Sequence, residues 1–506
     1  MNEESGRPIR NLCIVGGGTA GWIAAALLGH YAGHLFRIRL VESEEIGTIG
    51  VGESTIPPFL QLIARLGISE SEFIRETQAS FKLGIRFDDW LDRGSSYFHP
   101  FGAIGAPNPP VDPYQLWLRA RTADPSLELQ SLAPASVMAD AGRFMLPFKA
   151  ATTPVGGAAY ALHVDAKRVA AFLRRFAEGK GVVRTEGLVD RVEAEGDQVA
   201  AIVLRSGERI AADLFVDCTG FRSLLLGQAL EVPLDDWSDL LLCDRAVVVQ
   251  TENIGPPPPF TLAEAQDAGW RWRIPLQHRT GNGHVFSSRH MGADEARSIL
   301  LAKVEGRPVT EPMLLSFTTG ARREMWRGNV VAAGLSAGFI EPLESTAIHL
   351  VYRAIDFLLR YLPGTSRAPE LAAEFNRRMT GDYVEIRDFI IAHYSLTRRR
   401  DAPFWRDVAS IELPAGLRHR VAMFADAGML PEVLDGLFSA VSWQSVLDGM
   451  GVLPRRPHPS VANAEPAALA RDLRGLEQAI GRTVQQLPTH QAFLDQHCRA
   501  EKPLAA

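Results

Sequence analysis

A glycine-rich turn near the start of the chain has residue types and spacing suited to binding a phosphate. Residues 16–21 read Gly-Gly-Gly-Thr-Ala-Gly, which fits GxGxxG between an apolar strand-like run and a helical segment. Glycines let the backbone approach a pyrophosphate, and the first amides of the helix point toward it. Glu42 ends the next strand, 21 residues beyond Gly21, where a carboxylate can accept ribose hydroxyls. The turn therefore predicts a dinucleotide site.

Two later turns indicate which dinucleotide this site binds. NAD and FAD share the first pattern, but residues 213–220 and 328–334 each read as a strand that ends at a glycine. Three such turns suit the elongated FAD, whereas an NAD-dependent dehydrogenase would leave the second and third turns unexplained. We therefore predict FAD as the cofactor. The residues predicted to bind it are Gly16, Gly18, Thr19, Ala20, Gly21, Trp22, Glu42, Gly334 and Gly338.

Three other segments carry residues that could take part in chemistry. Residues 270–275 read WRWRIP, in which two indoles precede a rigid Ile-Pro pair; taken alone, they indicate the core of a strand. Lys82 stands between two apolar residues, although an isolated lysine usually extends to the surface. Glu344 opens the run Glu-Ser-Thr before a helical pattern, where these residues could cap the helix or bind an anion.

Together these segments resemble the flavin-dependent tryptophan halogenases, and the resemblance covers most of residues 10–450. The glycine turn continues to a tryptophan at position 22, residues 50–57 read GVGESTIP, and residues 270–275 match the family's WxWxIP signature at every specified position. The resemblance implies an enzyme that forms hypohalous acid from halide, O2 and reduced FAD. It also implies that the halogen is then transferred to an electron-rich aromatic such as an indole or tryptophan.

The resemblance assigns catalytic roles to Lys82 and Glu344. Lys82 would take halogen from hypohalous acid or hydrogen-bond it, and Glu344 would orient the halogenating agent and accept the proton that the ring loses. The halide would lie at the start of the following helix, where free amides favour an anion. The residues implied for this halide site are Ser345, Thr346 and Ala347. Many halogenases have glycine where this chain has Ala347.

The same resemblance implies a pocket of flat side chains for the aromatic ring. His99 and Phe101 would sandwich the ring, and Trp443 would form a third wall. The segment around Trp443 lacks the adjacent tyrosines expected to hold the amino-acid end of free tryptophan, so indole, a substituted indole or a tryptophan-containing peptide is also a candidate substrate. A separate wall would keep the substrate from the flavin. Its implied residues are Trp270, Trp272, Ile274 and Pro275.

Several partners and alternatives follow from this interpretation. The complete GxGxxG is assigned to FAD, so reduced FAD is expected from a separate NADH-dependent flavin reductase, as in the family. A flavin monooxygenase that hydroxylates its substrate directly would share the glycine turns, but it would not need WxWxIP, Lys82 and Glu344 together. A flavoprotein without catalysis, serving as a binding module, would not need both catalytic residues.

Composition limits the remaining classes of function. A formal net charge of −6 and a pI near 6.1 argue against nucleic-acid binding, which requires a concentrated basic surface. The cysteines are widely spaced without a CxxC pair, so we predict neither a disulfide framework nor a metal site. The chain shows no signal-peptide pattern and no apolar run long enough to span a bilayer. We expect a cytoplasmic protein without a membrane partner, for which a homodimer is one permitted assembly.

The predicted elements give an α/β fold with a FAD-binding, glutathione-reductase-like (Rossmann-type) core. Residues 182–217 alternate like an antiparallel β-sheet inserted into that core, and residues 344–362, 367–394 and 464–485 have helical periodicity. A capping-box pattern at Ser69 predicts a helix that runs through Ser80. The expected FAD module comprises residues 1–105 and 155–365. The expected substrate module, mostly helical, comprises residues 106–154 and 366–506.

Overall fold

A computed structural model describes residues 8–46, 53–105, 111–432 and 435–501. Gly50, Val51 and Gly52 of the GVGESTIP segment lie outside these residues. Contacts between residues divide the chain into two compact units. The first unit comprises Met1–Thr77, Val164–Asp239 and Phe317–Ile386. The second unit comprises Gln78–His163, Leu240–Ser316 and Arg387–Ala506.

The described residues form strands and helices throughout both units. The strands are β1 (Asn11–Val15), β2 (Arg37–Glu42), β3 (Glu53–Ser54), β4 (Ser80–Lys82), β5 (Gly84–Asp88), β6 (Ser96–Pro100), β7 (Ala161–Val164), β8 (Val183–Glu186), β9 (Val189–Glu195), β10 (Gln198–Leu204), β11 (Arg209–Ala211), β12 (Leu214–Asp217), β13 (Leu234–Asp236), β14 (Arg245–Thr251), β15 (Thr261–Gln266), β16 (Gly269–Pro275), β17 (Thr280–Phe286), β18 (Met313–Ser316), β19 (Gly320–Arg322), β20 (Trp326–Arg327), β21 (Val330–Ala332) and β22 (Gly338–Phe339). The helices are α1 (Thr19–Ala32), α2 (Pro58–Arg65), α3 (Glu70–Glu76), α4 (Pro113–Ala120), α5 (Pro134–Asp140), α6 (Ala166–Gly179), α7 (Ala293–Lys303), α8 (Ala347–Arg360), α9 (Pro369–Ser395), α10 (Pro403–Val408), α11 (Ala415–Ala427), α12 (Ala440–Gly449), α13 (Pro466–Gln486) and α14 (His490–His497).

The first unit is built on a six-stranded sheet in the order β20-β21-β12-β1-β2-β8, as seen in the described residues. Strand β1 pairs in parallel with β2 and β12, while β20 pairs antiparallel with β21 at one edge. Helix α1 links β1 to β2, contacts α6 and α8, and is apolar around most of its circumference, as expected of a helix covered on both sides. The predicted βαβ unit and Rossmann-type core are confirmed.

The predicted inserted sheet is confirmed in its centre. Strands β9, β10 and β11 form an antiparallel meander whose turns lie at Gly196 and Gly207, both with positive φ. The outer strands of the predicted segment behave differently. Strands β8 and β12 join the parallel sheet beside β2 and β1. The apolar run of β12 is buried there, whereas β8 forms a partly exposed edge of the sheet.

The second unit contains a seven-stranded sheet among its described residues, in the order β18-β14-β17-β16-β15-β5-β6. Its neighbours are antiparallel except for β15 and β5, which pair in parallel. Strands β4 and β7 form a separate antiparallel pair. The unit also contains the helices α4, α5, α7 and α10–α14. The sheet segment 240–316 therefore lies in the second unit, whereas the predicted module boundaries grouped it with the FAD core.

Most predicted helices match the observed ones, and one is shorter. Helices α8, α9 and α13 occupy the three segments with helical periodicity. Ser69 caps α3 by accepting a hydrogen bond from the Glu72 amide, as the capping box predicts. The predicted continuation through Ser80 is wrong, because α3 ends at Glu76 and Gln78 adopts a left-handed φ of +56°. Ser80 instead begins strand β4.

Three further predictions concern disulfides, metals and membranes. Cys13, Cys218, Cys243 and Cys498 are all buried free thiols. Within the described ranges, no group of three or more His, Cys, Asp or Glu side chains is placed to hold a metal ion. None of the described helices combines the length and apolar character needed to cross a membrane.

Candidate active site

A cavity of about 690 Å³ lies in the first unit and is lined by the glycine turns that the sequence singled out. Of the predicted FAD-binding residues, all except Gly21 line it. Their positions follow from the parallel sheet, since β1, β12 and β21 all end at the same edge. The lining drawn from the predicted set consists of Gly16, Gly18, Thr19, Ala20, Trp22, Glu42, Gly334 and Gly338.

In the first glycine turn, Gly16 and Gly21 have no room for a side chain, whereas Gly18 has open space beside it. Gly16 has a φ of +114°, and an added Cβ would lie 2.2 Å from the Cys218 carbonyl oxygen. An added Cβ on Gly21 would lie 1.8 Å from the Gly16 oxygen. Gly18 lines the cavity, and a Cβ there would meet nothing within 4 Å. The open side of the turn therefore suits a pyrophosphate held against the start of α1.

The later turns complete the cavity. Gly220 and Gly334 have φ values of +70° and +69°, which glycine adopts without strain. A Cβ on Gly334 would lie 2.9 Å from the Ala20 side chain, so the third turn packs directly on the first. The cavity volume is in the range typical of small-molecule and cofactor sites. The residues present therefore fit FAD.

Glu42 has neighbours that the sequence did not predict. Its carboxylate accepts a hydrogen bond from Trp22 Nε1 at 3.3 Å and from Arg184 Nε at 2.5 Å. Arg174 lies 3.8 Å from the same carboxylate, and both arginines line the cavity. Arg184 is on β8, which pairs with β2 although the two strands are far apart in sequence. Only the sheet order could have revealed this arrangement.

Glu344 is fully buried in the short 3-10 helix Pro342–Glu344, directly before α8. Ser345 has a left-handed φ of +61°, and Thr346 precedes the helix without making a side-chain cap hydrogen bond. The side chain of Thr346 therefore does not cap α8. Ala347 is exposed and lines the cavity in the first unit. Glu341, which the sequence analysis did not single out, is buried equally completely.

Lys82 ends strand β4 in the second unit and has no exposed surface. Its Nζ atom lies 5.1 Å from the centre of the Phe101 ring, a distance that allows a cation–π interaction. Backbone hydrogen bonds from Leu83 to Pro259 and from Phe101 to Leu83 fix the adjoining chain. The alternative of a lysine that extends to the surface is wrong, because the whole side chain is buried.

The predicted ring-binding residues lie together in the second unit. His99 on β6 packs against Phe101 at 6.1 Å between ring centres, and both are buried. Trp443 on α12 meets them through Phe389, which lies 4.6 Å from Trp443 and 5.6 Å from His99. Phe438 stacks on Phe389 at 3.7 Å. We call these five side chains, together with Lys82, the aromatic cluster.

The sequence analysis missed Phe389 and Phe438. Phe389 lies within the long helix α9, where its spacing reads as ordinary helical core, and Phe438 precedes α12. Neither belongs to a recognisable motif. The guanidinium of Arg420 lies 4.0 Å over the Trp443 ring and brings a positive charge to the edge of the cluster. A rule that seeks aromatic residues near Trp443 in sequence could have found Phe438.

The WRWRIP segment forms strand β16 in the seven-stranded sheet of the second unit. Trp270 and Trp272 point to the same side, with ring centres 5.9 Å apart. The Trp272 ring lies over Gly283 of β17, where an added Cβ would be 2.2 Å from the ring. Trp270, Trp272, Ile274 and Pro275 are all buried or nearly so, and none lines the cavity of the first unit. Their role as a wall stays a prediction.

Comparisons with known proteins give consistent matches over almost the whole chain. The family model described as tryptophan halogenase matches residues 11–466. The tryptophan 7-halogenase RebH of Lentzea aerocolonigenes is 36% identical, over 92% of this chain and 94% of RebH. A solved flavin-dependent halogenase from Xanthomonas campestris is 44% identical with a TM-score of 0.94, covering 98% of this chain and 100% of that one. A second solved flavin-dependent halogenase, from Brevundimonas sp. BAL3, is 39% identical with a TM-score of 0.92, covering 96% of this chain and 99% of that one.

Proposed function

Because the chain belongs to the flavin-dependent tryptophan halogenases, an enzyme family that uses FAD, we propose that it halogenates an electron-rich aromatic through Lys82 and Glu344. The observation that supports this most directly is the complete burial of Lys82 next to Phe101 within the aromatic cluster. Burying a lysine is unfavourable, because its ammonium group loses hydration. A fully buried lysine is therefore a candidate for a functional role. An amine beside a ring-binding pocket is suited to present halogen to that ring.

The overall reaction divides into halide oxidation and ring substitution. Reduced FAD, when bound, supplies the two electrons with which O2 and a proton convert halide into hypohalous acid and water. The residues of the glycine turns hold the cofactor, and their amides at the start of α1 complement its phosphates. Ser345, Thr346 and Ala347 are proposed to hold the halide before α8, where unsatisfied amides favour an anion.

The chain's own residues are proposed to direct the second stage. The Lys82 amine would hold hypohalous acid beside the aromatic ring, with His99, Phe101 and Trp443 keeping that ring flat. The ring carbon bonds to halogen while the oxygen–halogen bond breaks, and its electron pair stays with the oxygen. Glu344 would accept the ring proton and return it, so that water leaves. The net change is ring C–H plus hypohalous acid to ring C–halogen plus water.

The substrate class is proposed from the aromatic cluster. Its rings suit a flat indole, and RebH is named as acting on tryptophan. The described residues around Trp443 include no adjacent tyrosines to grip a free amino acid. We therefore propose indole, a substituted indole or a tryptophan-containing peptide ahead of free tryptophan. Reduced FAD is proposed to come from a separate NADH-dependent flavin reductase, since the complete GxGxxG of the chain is the one that lines the FAD cavity.

A reconstituted assay tests the proposed function. The purified chain is combined with a flavin reductase, NADH, FAD, O2, chloride or bromide and a panel of indoles, and products are read by mass spectrometry. Lys82→Met and Glu344→Gln should still bind FAD but lose halogenated product by at least about 100-fold, in the range expected for loss of an acid–base group. Lys149→Met and Glu370→Gln, which alter exposed residues, serve as matched controls.

The outcomes separate the possible activities. Halide-dependent product that disappears in both variants supports the proposal. A hydroxylated product formed without halide would instead identify a monooxygenase. Normal halogenation by Lys82→Met would show that the amine does not deliver the halogen.

A further inference from the structure

A chain of hydrogen bonds runs across four strands of the second unit beside Lys82. Ser80 on β4 lies opposite His163 on β7, and Lys82 lies opposite Ala161 in the same register. Side chains two residues apart on a strand share a face, so Ser80, Lys82 and His163 face the same way. The chain continues from His163 to Thr261 on β15, and from Ser80 to Pro275 on β16. The sequence analysis did not predict this network.

The direction of each hydrogen bond follows from the Pro275 carbonyl, which can only accept. The Ser80 hydroxyl donates to the Pro275 carbonyl oxygen at 2.5 Å. Its oxygen must then accept from His163 Nδ1, which lies 3.1 Å away. This assigns the ring proton to Nδ1, so that Nε2 accepts from the Thr261 hydroxyl at 2.9 Å. Both ring nitrogens of a single neutral tautomer are therefore satisfied.

The surroundings keep this tautomer neutral and fixed. Ser80 and His163 have no exposed surface, and Thr261 is buried. Burial, and then the positive charge of Lys82, hold the pKa of His163 well below its usual value. A buried network in which every member is satisfied resists displacement, because breaking one bond leaves polar atoms without water. The network therefore fixes β4 relative to the end of the WRWRIP strand.

We propose that Ser80, His163 and Thr261 are positioning residues for Lys82 in the transfer of halogen to the aromatic ring. This inference rests on the proposed function. By tying β4 to Pro275, the network holds the Lys82 amine at its place under Phe101, where hypohalous acid is retained and the ring is attacked. When the network is broken, hypohalous acid still forms beside the flavin but escapes to solvent before the ring carbon can take the halogen.

The test measures how halogen divides between product and escape. Ser80→Ala and Thr261→Val remove one hydroxyl each with little change in size. Ser80→Thr is the conservative variant that keeps the hydroxyl. Thr122→Val, at an exposed threonine, is the matched control. Each full-length protein is assayed with the flavin reductase, bromide and indole. A 1,3-diketone scavenger captures escaped hypohalous acid, and circular dichroism and FAD titration verify folding.

We expect Ser80→Ala and Thr261→Val to lose brominated indole roughly 10- to 100-fold, the loss typical of a misplaced catalytic group. Scavenger bromination should rise by the amount of product lost, while FAD affinity and total bromide oxidation stay unchanged. Ser80→Thr should form most of the product that the parent forms. A purely structural role would lower product and scavenger bromination together, and that result, or unchanged product, would overturn the inference.

The proposed function and this inference fail in different ways. If the unsubstituted enzyme forms neither brominated indole nor hypohalous acid, the proposed function is wrong and the inference falls with it. If the unsubstituted enzyme halogenates, Lys82→Met does not, and Ser80→Ala still gives the normal ratio of product to escape, only the positioning role is wrong.

Discussion

At the scale of single residues, burial changes the chemistry of groups around the aromatic cluster. Asp448 lies on α12, the helix that also carries Trp443. Its Oδ1 atom is buried and has no hydrogen-bond partner among the described residues. Burial raises the pKa of Asp448 from 3.8 to about 6, and the positive charge of Arg121 only partly opposes this. The carboxylate is therefore a source of instability in the helix that carries Trp443.

Replacing Asp448 with asparagine should stabilise the protein in a pH-dependent way. Between about pH 4 and pH 6 the folded chain keeps a proton that the unfolded chain has lost, so the free energy of unfolding falls as pH rises. Above pH 6 this penalty is complete. The variant should then be more stable than the parent by roughly 1–3 kcal/mol, with the difference vanishing below pH 4. Urea denaturation at pH 4 and pH 8 measures both quantities.

Asp472→Asn is the matched control, because Asp472 is exposed on α13. It should leave the difference between the two pH values as it is in the parent. An Asp448→Asn variant that is equally stabilised at both pH values would show that the effect comes from packing and not from ionisation.

Residue types and motifs predicted part of the candidate site. Lys82, His99 and Phe101 lie near one another in sequence, and the structure keeps them together. Phe389 could not be predicted, since it reads as helical core and reaches His99 only through tertiary packing. His163 likewise has no motif, and its partner Ser80 is revealed only by the register of β4 and β7.

At the scale of elements, a substitution in the glycine turn before α1 should weaken cofactor binding while leaving the stability of the fold nearly unchanged. Gly18 has a φ of −72°, which alanine also adopts, and its added methyl group would meet no protein atom. Gly18→Ala should therefore change the unfolding free energy of the FAD-free protein by less than about 1 kcal/mol. The methyl group would enter the cavity, so FAD affinity should fall at least about tenfold, or 1.4 kcal/mol. Fluorescence titration of FAD measures the affinity.

Gly179→Ala provides the control in the same unit. Gly179 ends α6, an added Cβ would meet nothing within 4 Å, and the residue does not line the cavity. This variant should bind FAD as the parent does. Parent-like affinity in Gly18→Ala would mean that the pyrophosphate does not lie against the turn.

Local sequence rules predicted elements well where the signal is local and poorly where it is not. The capping box placed the start of α3 correctly, because its hydrogen bond joins residues three apart. The end of α3 was missed, since Gln78 takes a left-handed conformation without a glycine to announce it. Strand β8 was assigned to the inserted sheet although it pairs with β2, a partner that no local pattern specifies.

At the scale of the whole molecule, the two compact units should respond differently to the cofactor. The glycine-lined cavity belongs to the first unit, so FAD should stabilise β1, β2 and β12 most directly. At a free concentration 100-fold above its dissociation constant, a ligand adds about 2.7 kcal/mol to the free energy of unfolding. Amide hydrogen exchange with and without FAD should show the largest gain in protection in these strands.

The seven-stranded sheet of the second unit provides an internal reference. Strands β14 and β17 are interior strands of this sheet and contribute no residue to the cavity lining. A gain in protection that is larger in β14 and β17 than in β1 and β12 would contradict the placement of FAD in the first unit. The division into units itself was hard to predict, because each unit is assembled from three separate stretches of the chain.

The burial of every cysteine has a consequence for an enzyme proposed to make hypohalous acid. Thiols, above all as thiolates, are among the protein groups most readily oxidised, and their reactivity depends on access and ionisation. Cys13 is buried in the first unit, and burial raises its pKa to about 12. Cys218 is also buried but contributes to the lining of the cavity, and burial raises its pKa further. Cys243 and Cys498 are equally enclosed in the second. In the folded chain the thiols of Cys13 and Cys218 are thus held in the protonated, less reactive form, and unfolding would expose them to oxidation by the hypohalous acid that the enzyme is proposed to make.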